Sequence, residues 1–238
     1  LEGALGLVAS YGPSYSGAED YRLRIGPAGF LRYGRFTVSG AGGFKTRRDD
    51  DVERGVAAEV IDSGDLRLSV SARWSNGRHE SNSDRLAGMG DIDGTVLARL
   101  RLQWSPDGPW AWTVALSVDA LGHGSGAVLD LGMARHWALT PTTLLQFGAS
   151  VALADSTYLQ SWYGVTPEQS ARSGYAVYRP GGGLREASAQ LTLRTEFDRR
   201  WAAYAGTGVS LQLGAAADSP LVQRRFGASV GAGLVWRF

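Results

Sequence analysis

The stretch Arg224–Phe238, RRFGASVGAGLVWRF, separates into two faces when every second residue is taken from Phe226. Phe226, Ala228, Val230, Ala232, Leu234, Trp236 and Phe238 are all apolar. Between them stand Gly227, Ser229, Gly231, Gly233, Val235 and Arg237, mostly small or charged. A period of two is that of side chains alternating across a strand, so this segment reads as a strand between an apolar and a polar environment. In hydrocarbon every backbone N–H and C=O needs an internal partner, so strands survive there only in a closed barrel. The last strand is therefore expected to close against the first, with its greasy face on lipid, its glycine and serine face on the interior, and Phe238 at the interface. The competing reading is an edge strand of a soluble β protein.

The same alternation recurs upstream. LRLSVSARW sets Leu66, Leu68, Val70, Ala72 and Trp74 against Arg67, Ser69, Ser71 and Arg73, and TVLARLRLQW sets Val96, Ala98, Leu100, Leu102 and Trp104 against Arg99, Arg101 and Gln103. LREASAQLTLRTEF repeats the pattern. Strands are placed at 2–10, 21–33, 35–47, 55–61, 66–77, 94–105, 110–121, 126–139, 142–156, 185–198, 200–213 and 225–238. Most approach the roughly 9 to 11 residues that cross a bilayer at a tilt. The connections alternate in length. YGR, DSGD, SPDGP, TPT and DRR are tight, whereas 11–20, 48–54, 79–93, 157–184 and 214–224 are long and polar, with the hairpin around GHGSG as the exception. Outer-membrane barrels have an even strand count, short periplasmic turns and longer outer loops. The expected fold is thus all-β: one closed antiparallel transmembrane β-barrel of about twelve strands, a single domain over 1–238.

Composition agrees with this and excludes other classes. The 238 residues are 44% hydrophobic, and 24 basic and 23 acidic side chains nearly cancel, which leaves no electrostatic footprint for nucleic acid. Cysteine is absent, so disulfides, thiolate metal sites and cysteine nucleophiles are excluded, in keeping with an oxidising compartment. No stretch reaches the length of a membrane-spanning helix, and no basic then apolar leader begins the sequence, so any signal peptide is expected to have been removed already.

Two constellations follow from the topology. Trp104, Trp110, Trp112, Trp137, Trp201 and Trp236, with Phe238, all lie beside short turns or the carboxyl end. Folding gathers them into an aromatic girdle at the periplasmic interface, where indoles keep their rings in lipid and their N–H near water. Tyr11, Tyr15, Tyr21, Tyr158 and Tyr163 lie at the opposite end. The polar face carries Arg22, Arg24, Arg32, Lys45, Arg67, Arg73, Arg99, Arg101, Arg194 and Arg237 inward, opposed by Glu59, Asp119, Asp130, Glu186 and Glu196. A basic lumen favours anions; the same residues equally suit a ladder of ion pairs filling the interior. Barrels of about 8 strands are packed with side chains and those of about 16 to 18 leave an aqueous channel, so twelve lies between.

Other motifs are weaker. In TPEQSARSG, Thr166 suits a helix N-cap, Pro167 the first helical position, Gln169 the reciprocal cap and Gly174 the stop, which predicts a short helix in the longest outer loop. Whether that helix plugs the lumen, binds a partner or packs on the rim is open, with packing favoured because so short a helix needs tertiary support. His123-Gly124-Ser125 has a spacing similar to that of the outer-membrane phospholipase, but Arg135 stands where that enzyme has an orienting Asn. A glycine-rich hairpin tip fits GHGSG better, and no catalytic residues are expected. His79 and His136 lack metal-ligand spacing, and Asp49, Asp50, Asp51 and Glu53 read as a solvated loop tip. GAGGF at 40–44 and the glycines at 181–183 lack a phosphate-loop lysine, so no cofactor is expected.

Specific words then point to a family. YLQSWYGVTPEQSARSGYAVYRPGGGLREAS at 158–188, GAAADSPLV at 214–222, YSGAEDYRLRIGPAGFLRYGRF near the amino terminus and GMGDIDGT at 88–95 resemble the MipA/OmpV family of outer-membrane proteins. Gly233-x-x-Trp236-x-Phe238 is similar to the carboxyl-terminal signal read by the outer-membrane insertion machinery. The resemblance implies a Gram-negative outer-membrane barrel in contact with lipid and lipopolysaccharide. It further implies a non-enzymatic scaffold for a lytic transglycosylase and a peptidoglycan synthase, and it carries over no catalytic residues. A narrow anion-leaning channel is the alternative from the basic face, and a serine hydrolase at the rim the remote one.

Overall fold

The structure, a computed structural model, describes residues 1–40, 55–106 and 108–238. Twelve strands form a closed ring: β1 (Glu2–Pro13), β2 (Tyr21–Tyr33), β3 (Phe36–Ser39), β4 (Gly55–Ser63), β5 (Leu66–Ser75), β6 (Thr95–Trp104), β7 (Trp110–Asp119), β8 (Ala127–Thr140), β9 (Thr143–Ala154), β10 (Gly183–Glu196), β11 (Trp201–Gln212) and β12 (Phe226–Arg237). Each strand is antiparallel to its chain neighbours. β12 closes on β1 with Trp236 opposite Leu5, Leu234 opposite Leu7 and Val230 opposite Tyr11. Among the described residues every strand has a neighbour on both sides, β3 joining β2 to β4 through Phe36–Ser39, so the ring closes in the way that satisfies backbone groups without solvent.

Strand positions follow the period-two pattern, with local departures. β1 runs three residues beyond its expected end, to Pro13, because it stays paired with Tyr21 of β2. β4 continues to Ser63 through a bulge between Glu59 and Ile61, which keeps its apolar residues outward. The ninth strand stops at Ala154 and not 156, because the Asp155 carboxylate accepts from the Tyr158 amide and starts a helix. Of the expected third strand, Phe36–Ser39 is seen. Lys45, the acidic cluster and most of GAGGF lie outside the described residues.

Register sorts the side chains. Leu7, 63% exposed, and Ile25, 69% exposed, belong to an outer belt of Leu, Ile, Val and Trp far larger than a soluble surface presents. Inside, toward the short turns, Ala4, Ala28, Phe30, Ala202 and Val235 form a small apolar cluster with Val8 and Tyr204 against it. The remaining inner face is mostly Ser, Thr, Gly, Gln and paired charges. No helix among the described residues is long and apolar enough to cross a membrane, so any crossing belongs to the strands.

At the long-loop end the connections fold on one another. The β9–β10 connection holds α1 (Ser156–Tyr163) and α2 (Pro167–Ser173), the β11–β12 connection holds α3 (Gly214–Ala217), and the β5–β6 connection makes two short 3₁₀ turns. Met89, Val165 and Leu221, one from each of these connections, share a buried cluster. In a ring of twelve the β5–β6 and β11–β12 junctions stand on opposite sides. Contact between Met89 and Leu221 therefore requires the loops to meet over the barrel axis. They form a cap.

Candidate functional site

The inner arginines are placed by strand parity, and the structure gives each a neighbour. Arg99 Nη1 donates to Asp130 on β8 and to Ser117 on β7, both at 3.1 Å, spanning three strands. Arg67 Nε donates to Asp62 at 3.2 Å, and Arg101 Nη2 to Gln103 Oε1 at 3.0 Å. Arg194 and Arg237 converge on the Glu196 carboxylate. Arg32 donates to Thr37 Oγ1, Arg22 to the Asn82 carbonyl in the cap, and Arg24 to the carbonyls of Pro13 and Ser14. Arg73 also has a partner. Local carboxylates and carbonyls thus answer much of the basic face, an arrangement closer to the ion-pair ladder than to a ring of bare cations.

The cap is held by buried polar groups that no local motif announces. Arg78, 4% exposed, donates to the Trp162 carbonyl at 2.6 Å, and burial lowers its pKa despite the partly offsetting nearness of Tyr15 and Tyr163. The Tyr163 hydroxyl donates to Gln212 Oε1 at 2.9 Å, and Gln212 Nε2 donates to Glu186 at 2.8 Å, tying α1 to the barrel rim. Tyr15 donates to the Leu221 carbonyl and Tyr178 to the Ala215 carbonyl, so tyrosines sew separate loops together. Burial pushes the Tyr15 hydroxyl up to about 12, with Tyr175 and Asp20 adding to the effect. The expected short helix forms as α2, with both halves of its capping box and Gly174 at φ 79°. Gln169 Nε2 also donates to the Met89 carbonyl at 2.7 Å, so the helix packs as part of the cap.

At the other end the tryptophans gather as bands. Trp104 faces Trp112 across β6 and β7, Trp201 faces Trp236 across β11 and β12, Trp110 stacks on Trp112 at 6.4 Å, and Trp236 meets Phe238 at 5.3 Å. Trp137 stands next to Arg135, whose guanidinium carbon lies 4.9 Å from its ring centroid. Arg135 is a residue that the sequence reading did not place on the outer face; its odd position in the row Leu129, Leu131, Met133 was the available signal. The short-turn mouth holds a concavity of about 520 Å³ bordered by Phe30, Arg199, Arg200, Arg237 and Phe238.

The His123-Ser125 pair does not assemble. His123 Nδ1 lies 2.7 Å from the Gly94 carbonyl, and the Ser125 hydroxyl is buried without a hydrogen-bond partner among the described residues. Asp119 organises this hairpin, accepting from the amides of Leu121, Gly122 and Ser125. Among the described residues no three His, Cys, Asp or Glu side chains are grouped to hold a metal ion.

A closed antiparallel ring with an apolar outside, a polar inside, short turns at one end and folded loops at the other defines the outer-membrane type of β-barrel. The sequence model of the family described as MltA-interacting protein MipA matches residues 5–238, and the chain belongs to that family. No curated protein matches it. Among solved structures, the NanC porin is similar in fold, with a TM-score of 0.55, 7% identity and 98% of each chain covered. The OmpT outer-membrane protein of Vibrio cholerae aligns over 99% of this chain and 96% of its own at 9% identity, with a TM-score of 0.40. The toluene transporter TodX of Pseudomonas putida covers 99% and 88% at 9% identity and 0.42.

Proposed function

We propose that the chain resides in the Gram-negative outer membrane and acts as a non-enzymatic scaffold for peptidoglycan-remodelling machinery. The short turns face the periplasm and the cap faces outward, above the lipopolysaccharide leaflet. The observation that carries this reading is the cap: loops from opposite sides of the ring meet over the axis around Met89, Val165 and Leu221, which suits a closed body better than an open pore. The family's own description, an MltA-interacting protein, supplies the partner class, a lytic transglycosylase; a peptidoglycan synthase is the second partner of the reading.

Short turns expose little surface, so docking has to use the periplasmic rim. Arg199 and Arg200 are exposed there beside the exposed ring of Phe238, and with Arg237 they outnumber the neighbouring acids Glu2 and Asp198. Cations around an aromatic suit an acidic partner patch. Crosslinking pull-down from envelopes should recover a murein hydrolase or synthase with the unaltered chain, and less of it with Arg199→Glu and Arg200→Glu combined. Recovery of neither enzyme, where a known partner pair survives, would overturn the scaffold.

A second reading, a narrow anion-leaning channel, is favoured by a cavity of about 290 Å³ at the loop-end mouth lined by Arg24, Arg224 and Arg225. It requires single-channel conductance in planar bilayers, with anion selectivity lost on Arg99→Ala and Arg101→Ala.

A further inference from the structure

The outward positions of β8 run Leu129, Leu131, Met133, Arg135, Trp137 and Leu139, so one guanidinium stands in an otherwise apolar row. Register fixes its face and its neighbours: Arg135 is opposite Trp110 on β7 and Phe147 on β9. The next residue fixes its depth, because the His136 amide donates to the Pro109 carbonyl in the β6–β7 turn at 3.2 Å. Arg135 therefore lies level with the short turns. Its guanidinium carbon is 4.9 Å from the Trp137 ring centroid and 5.2 Å from that of Trp110, so two indoles hold the cation.

What the guanidinium lacks is an acceptor. Among the described residues Arg135 makes no ion pair or hydrogen bond, and its Nε is buried without a partner. A guanidinium stays charged and offers five N–H donors in a planar fork, whereas an indole face offers attraction for the charge but no lone pair. Arg22, Arg24, Arg32, Arg67, Arg99, Arg101, Arg194 and Arg237 on the inner face each give at least one N–H to a carboxylate, hydroxyl or carbonyl oxygen, even where, as in Arg194 and Arg237, Nε itself is buried without a partner among the described residues. On the outer face of the barrel, at the depth of the turns, the available acceptor belongs to the membrane.

We propose that Arg135, Trp110 and Trp137 form a binding site for the phosphodiester of one glycerophospholipid in the leaflet beside the short turns. The fork takes two phosphate oxygens, as Arg does with planar bidentate partners. The flanking indoles pack along the glycerol and the upper acyl chains, which a free phosphate lacks. The proposal rests on the barrel being embedded in a bilayer, and the scaffold reading can fail without touching it.

The test is native mass spectrometry of the full chain in an uncharged maltoside detergent, titrated with phosphatidylglycerol. The first lipid should bind about tenfold more weakly to Arg135→Gln than to the unaltered chain, the loss expected for one charge-assisted contact. Arg135→Lys, which keeps the charge but not the fork, should fall between them. Diacylglycerol, which has the same chains without phosphate, should bind both proteins alike, and inorganic phosphate should not displace the lipid. Each variant is first shown to migrate as a folded barrel before heating; if Arg135→Gln does not fold, Arg135→Lys and Trp137→Leu carry the comparison. Equal phosphatidylglycerol affinity in the unaltered and altered chains overturns the site, and displacement by inorganic phosphate overturns the lipid as its occupant.

Discussion

Thr166 accepts a hydrogen bond from the Gln169 amide at 3.2 Å, and its own amide donates to Gln169 Oε1 at 2.9 Å. Such a box satisfies two of the donors a helix start leaves open, and its residues are three apart, so it can be read without knowing the fold. Thr166→Ala should cost about 1 kcal/mol locally. Hydrogen exchange should quicken across 167–173 while the barrel strands keep their protection; uniform loss of protection would show instead that the cap and barrel unfold together. Asp155 does the same work for α1 by accepting from Tyr158, yet the helix was hidden because the apolar run before it continued the strand pattern. Arg78 had no local signal at all. Its partner carbonyl on Trp162 is 84 residues away, and only folding brings the two together.

Among the elements, the strands were legible because lipid outside and polar packing inside impose one alternation on every crossing. The closing pair shows how tightly that packing runs. A Cβ added at Gly6 would meet the Leu234 carbonyl oxygen at 2.2 Å and Val235 Cα at 2.8 Å, whereas one at Gly26 on β2 meets nothing within 4 Å. Gly6→Val should therefore wedge β1 from β12 and abolish the compact form seen on unheated gels, and Gly26→Val should leave it intact. Cap elements were largely illegible, since their contacts join connections far apart in sequence. Their tyrosines make the cap sensitive to alkali. Folding raises Tyr15 from the ordinary 10.0 to about 12, first by burial, so its contribution is complete below pH 10 and is lost as pH rises through about 12. Burial also raises Tyr163 and Tyr178. Limited proteolysis should begin to cut within 155–182 in that window before the strands lose their signal by circular dichroism.

At the scale of the whole molecule, the decision between a closed scaffold and a channel falls on the cap, because the interior gives mixed signals. Arg99, Arg67 and Arg194 have carboxylates beside them, which lowers the field a permeating anion would meet, while three arginines line the loop-end cavity, Arg24 bonded to two carbonyls, Arg225 paired with Asp218, and Arg224 between them in the lining. Leu221 is 2% exposed and touches the loops that cross the axis. Leu221→Asp would place a carboxylate in the apolar cluster with Met89 and Val165, a burial costly enough to favour an open cap over a closed one. The strands do not depend on this contact, so the variant should still run as a folded barrel before heating. In planar bilayers the unaltered chain is expected to stay silent and Leu221→Asp to conduct. Steady conductance from the unaltered chain, equal to that of the variant, would mean that ions already pass the cap, and the channel reading would then displace the scaffold.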